Sequence, residues 1–214
     1  METEVDLLKY EKDLYEKGYK FIAGTDEVGR GPLVGPVVAA AVILPKNYEL
    51  KGLTDSKKLS EKKRNIFYDI IIKDAVSVGI GIVSEKTIDE INILEASRLA
   101  MNKALDNLNI KAEYILSDAM KLDRDVPVMP IIHGDALSLS ISAASVIAKV
   151  TRDRMMEELG KEYPEYEFQN HKGYPTKRQI ELVKKYGVLD NYRKTFKPIS
   201  EILKERSKNE KECV

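Results

Sequence analysis

KFIAGTDEVGRGPLVGPVVAAAVIL, Lys20 to Leu44, is the stretch that decides the architecture. KFIAGT at 20–25 reads as a strand that runs into two adjacent acids, Asp26 and Glu27. PVVAAAVIL at 36–44 is a short, unbroken apolar run bounded by a turn, the pattern of a strand buried on both faces. Between them the glycines of GRGPLVG supply a turn. A pair of strands joined in this way needs helices to cover it, which predicts an α/β fold.

Working outward, VDLLKYEKDLYEKGY at 4–18 spaces apolar residues at helical intervals and stops at Gly18. Ser60, followed by Glu61, is a natural N-cap for a helix reaching about Lys73, and AVSVGIGIV at 75–83 alternates as a third strand. A long helix is predicted from about Thr87 to Leu108. EYILSD at 113–118 is a fourth strand ending on Asp118, and VPVMPIIHGD at 126–135 a short fifth one ending on Asp135. From Leu137 the pattern is helical: SISAASVIAKVTRDRMMEEL, TKRQIELVKKYG and ISEILKER are three amphipathic segments. The order β-β-α-β-α-β-β followed by helices predicts a mixed sheet flanked by helices. If the fourth strand runs parallel to the first, their carboxyl ends meet, and such ends are where clefts form. Asp26 and Asp118 would then share one place. The expected organisation is an N-terminal helix over 1–19, a catalytic core over 20–160, a helical C-terminal region of the same domain over 161–206, and a flexible tail over 207–214.

Composition narrows the function classes. The 214 residues carry 35 basic and 35 acidic side chains, so nucleic-acid binding would have to come from a local patch. The single cysteine, Cys213, excludes an internal disulfide and a cysteine zinc cage, and it fits a reducing cytoplasm. The N-terminus lacks the basic-then-apolar order of a signal peptide, and VVAAAVIL at 37–44 is too short to cross a bilayer. No heptad pattern suggests self-association, so a monomer is expected.

Asp26, Glu27, Asp118 and Asp135 each stand where an apolar strand gives out. An oxygen-only donor set suits a hard divalent cation, Mg²⁺ or Mn²⁺; without one, clustered carboxylates repel each other and take up protons. Neighbouring residues of a regular strand point to opposite faces, so Asp26 and Glu27 reach one site only if the chain bends or bulges there. GTDEVGRG has no lysine after its glycines, as a P-loop would, and its spacing is not GxGxxG. Gly29 and Gly31 instead read as points where backbone approaches a ligand closely, with Arg30 between them as an anion or hydroxyl contact.

Four motifs, DEVGRGPLVGPVV at 26–38, LTDSKKLS at 53–60, ISAASVIAKVTRD at 141–153 and HKGYPT at 171–176, resemble those of bacterial ribonuclease HII, in the family's order. The resemblance extends from about Phe21 to Phe196. It implies a ribonuclease H-like fold with a five-stranded mixed sheet and a helical C-terminal region. It also implies two divalent ions on Asp26, Glu27, Asp118 and Asp135, and an endonuclease that cuts the RNA strand of RNA–DNA hybrids and incises 5′ to single ribonucleotides embedded in duplex DNA. Ribonucleotide repair and primer removal are the processes such an enzyme serves. By the same resemblance Gly29, Arg30 and Gly31 read the 2′-hydroxyl, Tyr174 stacks on the neighbouring sugar, and Lys57 and Arg64 hold phosphates.

Two departures from the family pattern stand out: Ala119 follows Asp118 where glycine is usual, and His133 precedes Asp135 where many relatives have a basic residue. Ribonuclease HIII, the nearest alternative, usually carries an extra N-terminal domain and lacks Gly-Arg-Gly. A catalytically silent nucleic-acid-binding module would gain nothing from clustered carboxylates.

Overall fold

The computed structural model describes residues 6–53, 56 and 59–212, with side chains through 208. Five strands form one sheet: β1 (Ile22–Val28), β2 (Val37–Ile43), β3 (Ser77–Val83), β4 (Tyr114–Asp118) and β5 (Val128–Ile131). Their order is β3-β2-β1-β4-β5, with β1 antiparallel to β2 and parallel to β4, and β4 parallel to β5. The sheet is therefore mixed, as the sequence predicts. Every residue of β2 is buried, in keeping with its unbroken apolar run.

Seven helices accompany the strands among the described residues: α1 (Lys9–Glu16), α2 (Glu61–Asp74), α3 (Glu85–Asp106), α4 (Leu139–Glu162), α5 (Phe168–His171), α6 (Lys177–Tyr186) and α7 (Ile199–Glu212). Ser60 caps α2 as expected, its hydroxyl accepting from the Lys63 N–H, and Thr176 does the same for α6 through the Gln179 N–H. The predicted continuous helix at 87–108 is broken at Asn92, which has φ 69°. Its side-chain oxygen accepts from the Leu94 and Glu95 N–H groups, so it caps a second helical segment in mid-course. The helix α7 extends to Glu212, past the end expected near 206.

The contacts divide the chain into two compact units. The first comprises 1–28, 38–82 and 97–151, and holds nearly all of the sheet. Its main core packs Ala40, Val42 and Ile71 with Ala143, Ala144 and Ile147 of α4. A smaller cluster joins Leu14 of α1 to Ile22, Leu116, Ile131 and Ile141. The second unit comprises 29–37, 83–96 and 152–214. Its core is aromatic: Tyr166 stacks on Phe168 with ring centres 5.3 Å apart, and Tyr192, Leu33 and Met156 join them. No helix among the described residues is long and apolar enough to cross a membrane.

Candidate active site

Parallel pairing of β1 and β4 sets the first unit's acidic site. Thr25 lies opposite Ser117, so the next residues, Asp26 and Asp118, end up side by side. Asp118 is itself paired with Ile131, the last residue of β5. The chain then turns through His133, in the left-handed region at φ 57°, into a short 3₁₀ turn, Gly134–Ala136, that carries Asp135. Asp135 does not end a strand, as the sequence suggested. The reversal at His133 stops β5 four residues earlier and swings the acid inward. Carboxylate oxygens of Asp26, Asp118 and Asp135 all lie within 4.8 Å of one another, with Asp26 and Asp135 each 5% exposed.

Local hydrogen bonds fix these side chains. The Gly134 N–H donates to Asp118 Oδ1 at 2.8 Å, and the Glu27 N–H donates to Asp26 Oδ1 at 2.7 Å. The Ser145 hydroxyl of α4 also bonds the Asp26 carboxyl. The Ser145 and Ser56 hydroxyls lie 2.8 Å apart and share a hydrogen bond. The helix α4 can approach this closely because of Gly24: a Cβ there would fall 2.1 Å from the Ser140 carbonyl carbon and 2.3 Å from the Ile141 nitrogen. Burial holds the Asp26 carboxyl well above the usual carboxylate range; the charges of Glu27, Asp118 and Asp135 push the same way, and Ser145 opposes them. Three converging carboxylates with this unbalanced charge are the donor set that a hard divalent cation satisfies.

Glu27 departs from expectation. The β1–β2 register runs without interruption from Ala23 opposite Ile43 to Val28 opposite Val38, so there is no bulge at the acidic pair. Strand alternation sends Glu27 to the face opposite Asp26, and Glu27 stands outside the three-aspartate cluster. Its side chain acts on the site through the upward push of its charge on Asp26, beside the hydrogen bond of its N–H.

The residues flagged for substrate contact separate into groups. Gly29, Arg30, Gly31 and Tyr174 all belong to the second unit. Gly29 is buried, whereas Arg30 and Gly31 are exposed. A Cβ on Gly31 would meet Tyr174 Cε1 at 3.7 Å and nothing nearer, so the open face of Gly31 looks onto the 40%-exposed Tyr174 ring. The two motifs, 143 positions apart in the chain, thus come together. Arg64 turns toward its own loop, donating from Nη1 to the carbonyls of Leu59 at 2.5 Å and Ser56 at 3.2 Å. Lys57 lies outside the described residues.

Two residues escaped sequence reading. Ser145 is buried one helical turn beyond Ser142, and its only signal is that spacing. Arg193 lies in an unremarkable loop, YRKTFK, yet its side chain is fully buried. Two nearby aspartates, Asp123 and Asp125, are exposed and outside the cluster, as is His133.

A family model described as Ribonuclease HII matches residues 23–199. Ribonuclease HII of Bacillus cytotoxicus is 56% identical over 205 residues, covering 96% of this chain and 79% of the relative. Among solved structures, ribonuclease H2 from Pyrococcus horikoshii superimposes with TM-score 0.76 at 29% identity, covering 88% of this chain and 99% of that one. Bst-RNase HIII in complex with Mn²⁺ gives TM-score 0.63 at 16% identity, covering 89% and 71%, a likeness of fold.

Proposed function

The chain belongs to the ribonuclease HII family, hydrolases of the ribonuclease H type 2 class that act on RNA–DNA hybrids, and on that premise we propose that it incises duplex DNA 5′ to a single embedded ribonucleotide. The observation that carries the hydrolytic part is the convergence of Asp26, Asp118 and Asp135 within 4.8 Å. The family is metal-dependent, and these three residues would hold Mg²⁺ or Mn²⁺, with Glu27 adding charge from the neighbouring strand position. When bound, such ions polarise the phosphoryl oxygens and make water nucleophilic near neutral pH, which leaves 3′-hydroxyl and 5′-phosphate ends.

The chain's own contribution is arrangement. Ser145 and the Glu27 N–H keep Asp26 in one orientation, and the Gly134 N–H does so for Asp118. Preset ligands spare the reaction the cost of organising them. Selectivity for a ribonucleotide rests on Gly31 and Tyr174: the bare Cα admits a sugar close to backbone, and the exposed ring offers a stacking surface. Discrimination by a 2′-hydroxyl is strong wherever polar groups go unpaired without it.

Labelled RNA–DNA hybrid, incubated with Mn²⁺ or Mg²⁺, tests the hydrolytic part. Cleavage to 5′-phosphate ends that disappears with Asp118→Asn, while that variant keeps the wild-type melting temperature within a few degrees, is expected. Cleavage that survives EDTA or Asp118→Asn would overturn the metal-cluster assignment.

A further inference from the structure

The loop that carries Gly29, Arg30 and Gly31 is held from behind by two arginines rather than by ordinary turn hydrogen bonds. Arg152 and Arg193 are both 0% exposed, an uncommon fate for a guanidinium. Arg152 donates from Nε to the Pro36 carbonyl at 3.0 Å, from Nη2 to Val34 at 2.9 Å and from Nη1 to Lys172 at 2.9 Å. Arg193 donates from Nη2 to Gly29 at 2.5 Å and Gly35 at 2.8 Å, from Nε to Gly35 at 3.1 Å, and from Nη1 to Arg30 at 2.9 Å. Its backbone N–H adds a bond to the Leu33 carbonyl at 2.9 Å. The loop and the Arg193 segment are thus clamped at both main chain and side chain.

A direction follows from peptide planarity. The carbonyls of Gly29 and Arg30 point at Arg193, and in a trans peptide the N–H lies on the opposite side of the same plane. The N–H groups of Arg30 and Gly31 therefore point away from the buried guanidinium. This is the exposed side of the loop, since Gly29 is buried and Arg30 and Gly31 are not.

On the reading that this loop recognises a ribose, we propose that Arg193 is the positioning residue for sugar discrimination: its fork fixes two successive peptide planes so that the Arg30 and Gly31 amides face the 2′-hydroxyl. Lysine cannot replace it. A lysine ammonium is a point donor, whereas the planar guanidinium spans the carbonyls of residues 29, 30 and 35 together. Phe196 supports the fork, its ring centre lying 5.1 Å from the guanidinium carbon. The Asp89 carboxylate steadies the flanking chain by accepting from the Lys194 and Thr195 N–H groups. Burial, together with the nearby Arg152 charge, lowers Arg193 only to about 10, so the fork stays protonated at neutral pH.

Arg193→Lys is the test, read as the ratio of affinities for a single-ribonucleotide duplex and the same duplex in all-DNA form, by fluorescence anisotropy with Ca²⁺ present. The ratio is expected to fall at least about tenfold, while affinity for the all-DNA duplex and Mn²⁺ binding both stay within about twofold of wild type. An unchanged ratio overturns the proposal. Hydrogen exchange on the wild-type chain gives an arm independent of the variant's folding: the Arg30 and Gly31 amides should slow with the ribonucleotide duplex and not with the all-DNA duplex, and equal exchange in both overturns it. A wild-type chain that fails to incise the ribonucleotide duplex counts against the proposed function. Incision with an unaltered ratio or unaltered exchange counts against the role of Arg193 alone.

Discussion

Adding one methyl group at either of two glycines should separate stability from recognition. Gly29 has φ +95°, and a Cβ there would lie 2.3 Å from Arg152 Nε and 2.8 Å from the Pro36 carbonyl oxygen. The left-handed backbone costs a side chain about 1–2 kcal/mol, and forcing apart packed atoms costs about 1–3 kcal/mol more. Gly29→Ala should therefore lose roughly 2–5 kcal/mol, a fall in Tm of about 4–20 °C for a chain of this size. At Gly31 the backbone is not left-handed and the new Cβ meets only Tyr174 Cε1, at an ordinary 3.7 Å. Gly31→Ala should hold stability or gain about 0.4–1 kcal/mol through the unfolded chain. On the proposed recognition, its methyl would fill the gap through which a sugar approaches the loop. A displaced substrate loses about 100-fold in kcat/KM on a single-ribonucleotide duplex. Thermal melts and incision kinetics on both variants decide the matter. Full activity in Gly31→Ala would show that no sugar passes between Gly31 and Tyr174. A wild-type Tm for Gly29→Ala would refute the packing of the loop on Arg152.

Two further outcomes follow from the acidic site. Asp26→Asn should abolish cleavage yet raise the Tm of metal-free protein at pH 8, because a buried, crowded carboxylate opposes folding when ionised. The folded-state pKa of Asp26 is raised, so its destabilising effect grows as pH rises from the unfolded value, about 3.9, through the folded one; the Tm gap between variant and wild type should close below about pH 4, and a gap of equal size at pH 3.5 would contradict this origin. Ala119 adopts φ 51°, a left-handed conformation that glycine enters without penalty. Ala119→Gly should change Tm by no more than a few degrees and, on balance, upward; a loss above about 2 kcal/mol would show that the Ala119 methyl makes contacts that outweigh its strain.

How much of this was legible in the chain depended on how locally each feature is encoded. The strands stood out because burial is written in the residues themselves, as an unbroken apolar run in β2 and as an alternation in β3. Parallel return of β4 to β1 was enough to bring Asp26 and Asp118 together. The position of Asp135 was harder, since it depends on backbone handedness at His133, which no hydrophobic pattern records. Asn92 hid a break inside an otherwise helical period for the same reason. Glu27 teaches the converse lesson: the period of two had already sent it to the other face, and the bend invoked to bring it back is absent. Arg193 was invisible because its partners, Gly29 and Arg30, lie 164 and 163 positions away. An arginine in a polar loop gives no sign that its guanidinium is spent on distant carbonyls.

We propose that this chain is a nuclease selective for one ribonucleotide embedded in DNA. Mapping at nucleotide resolution the cut made in a duplex with a single ribonucleotide, with Mn²⁺ or Mg²⁺ and an all-DNA duplex alongside, decides this. One incision immediately 5′ to the ribonucleotide and none in the DNA control is expected. Failure to incise that duplex, or cutting of the all-DNA control at a comparable rate, would contradict it.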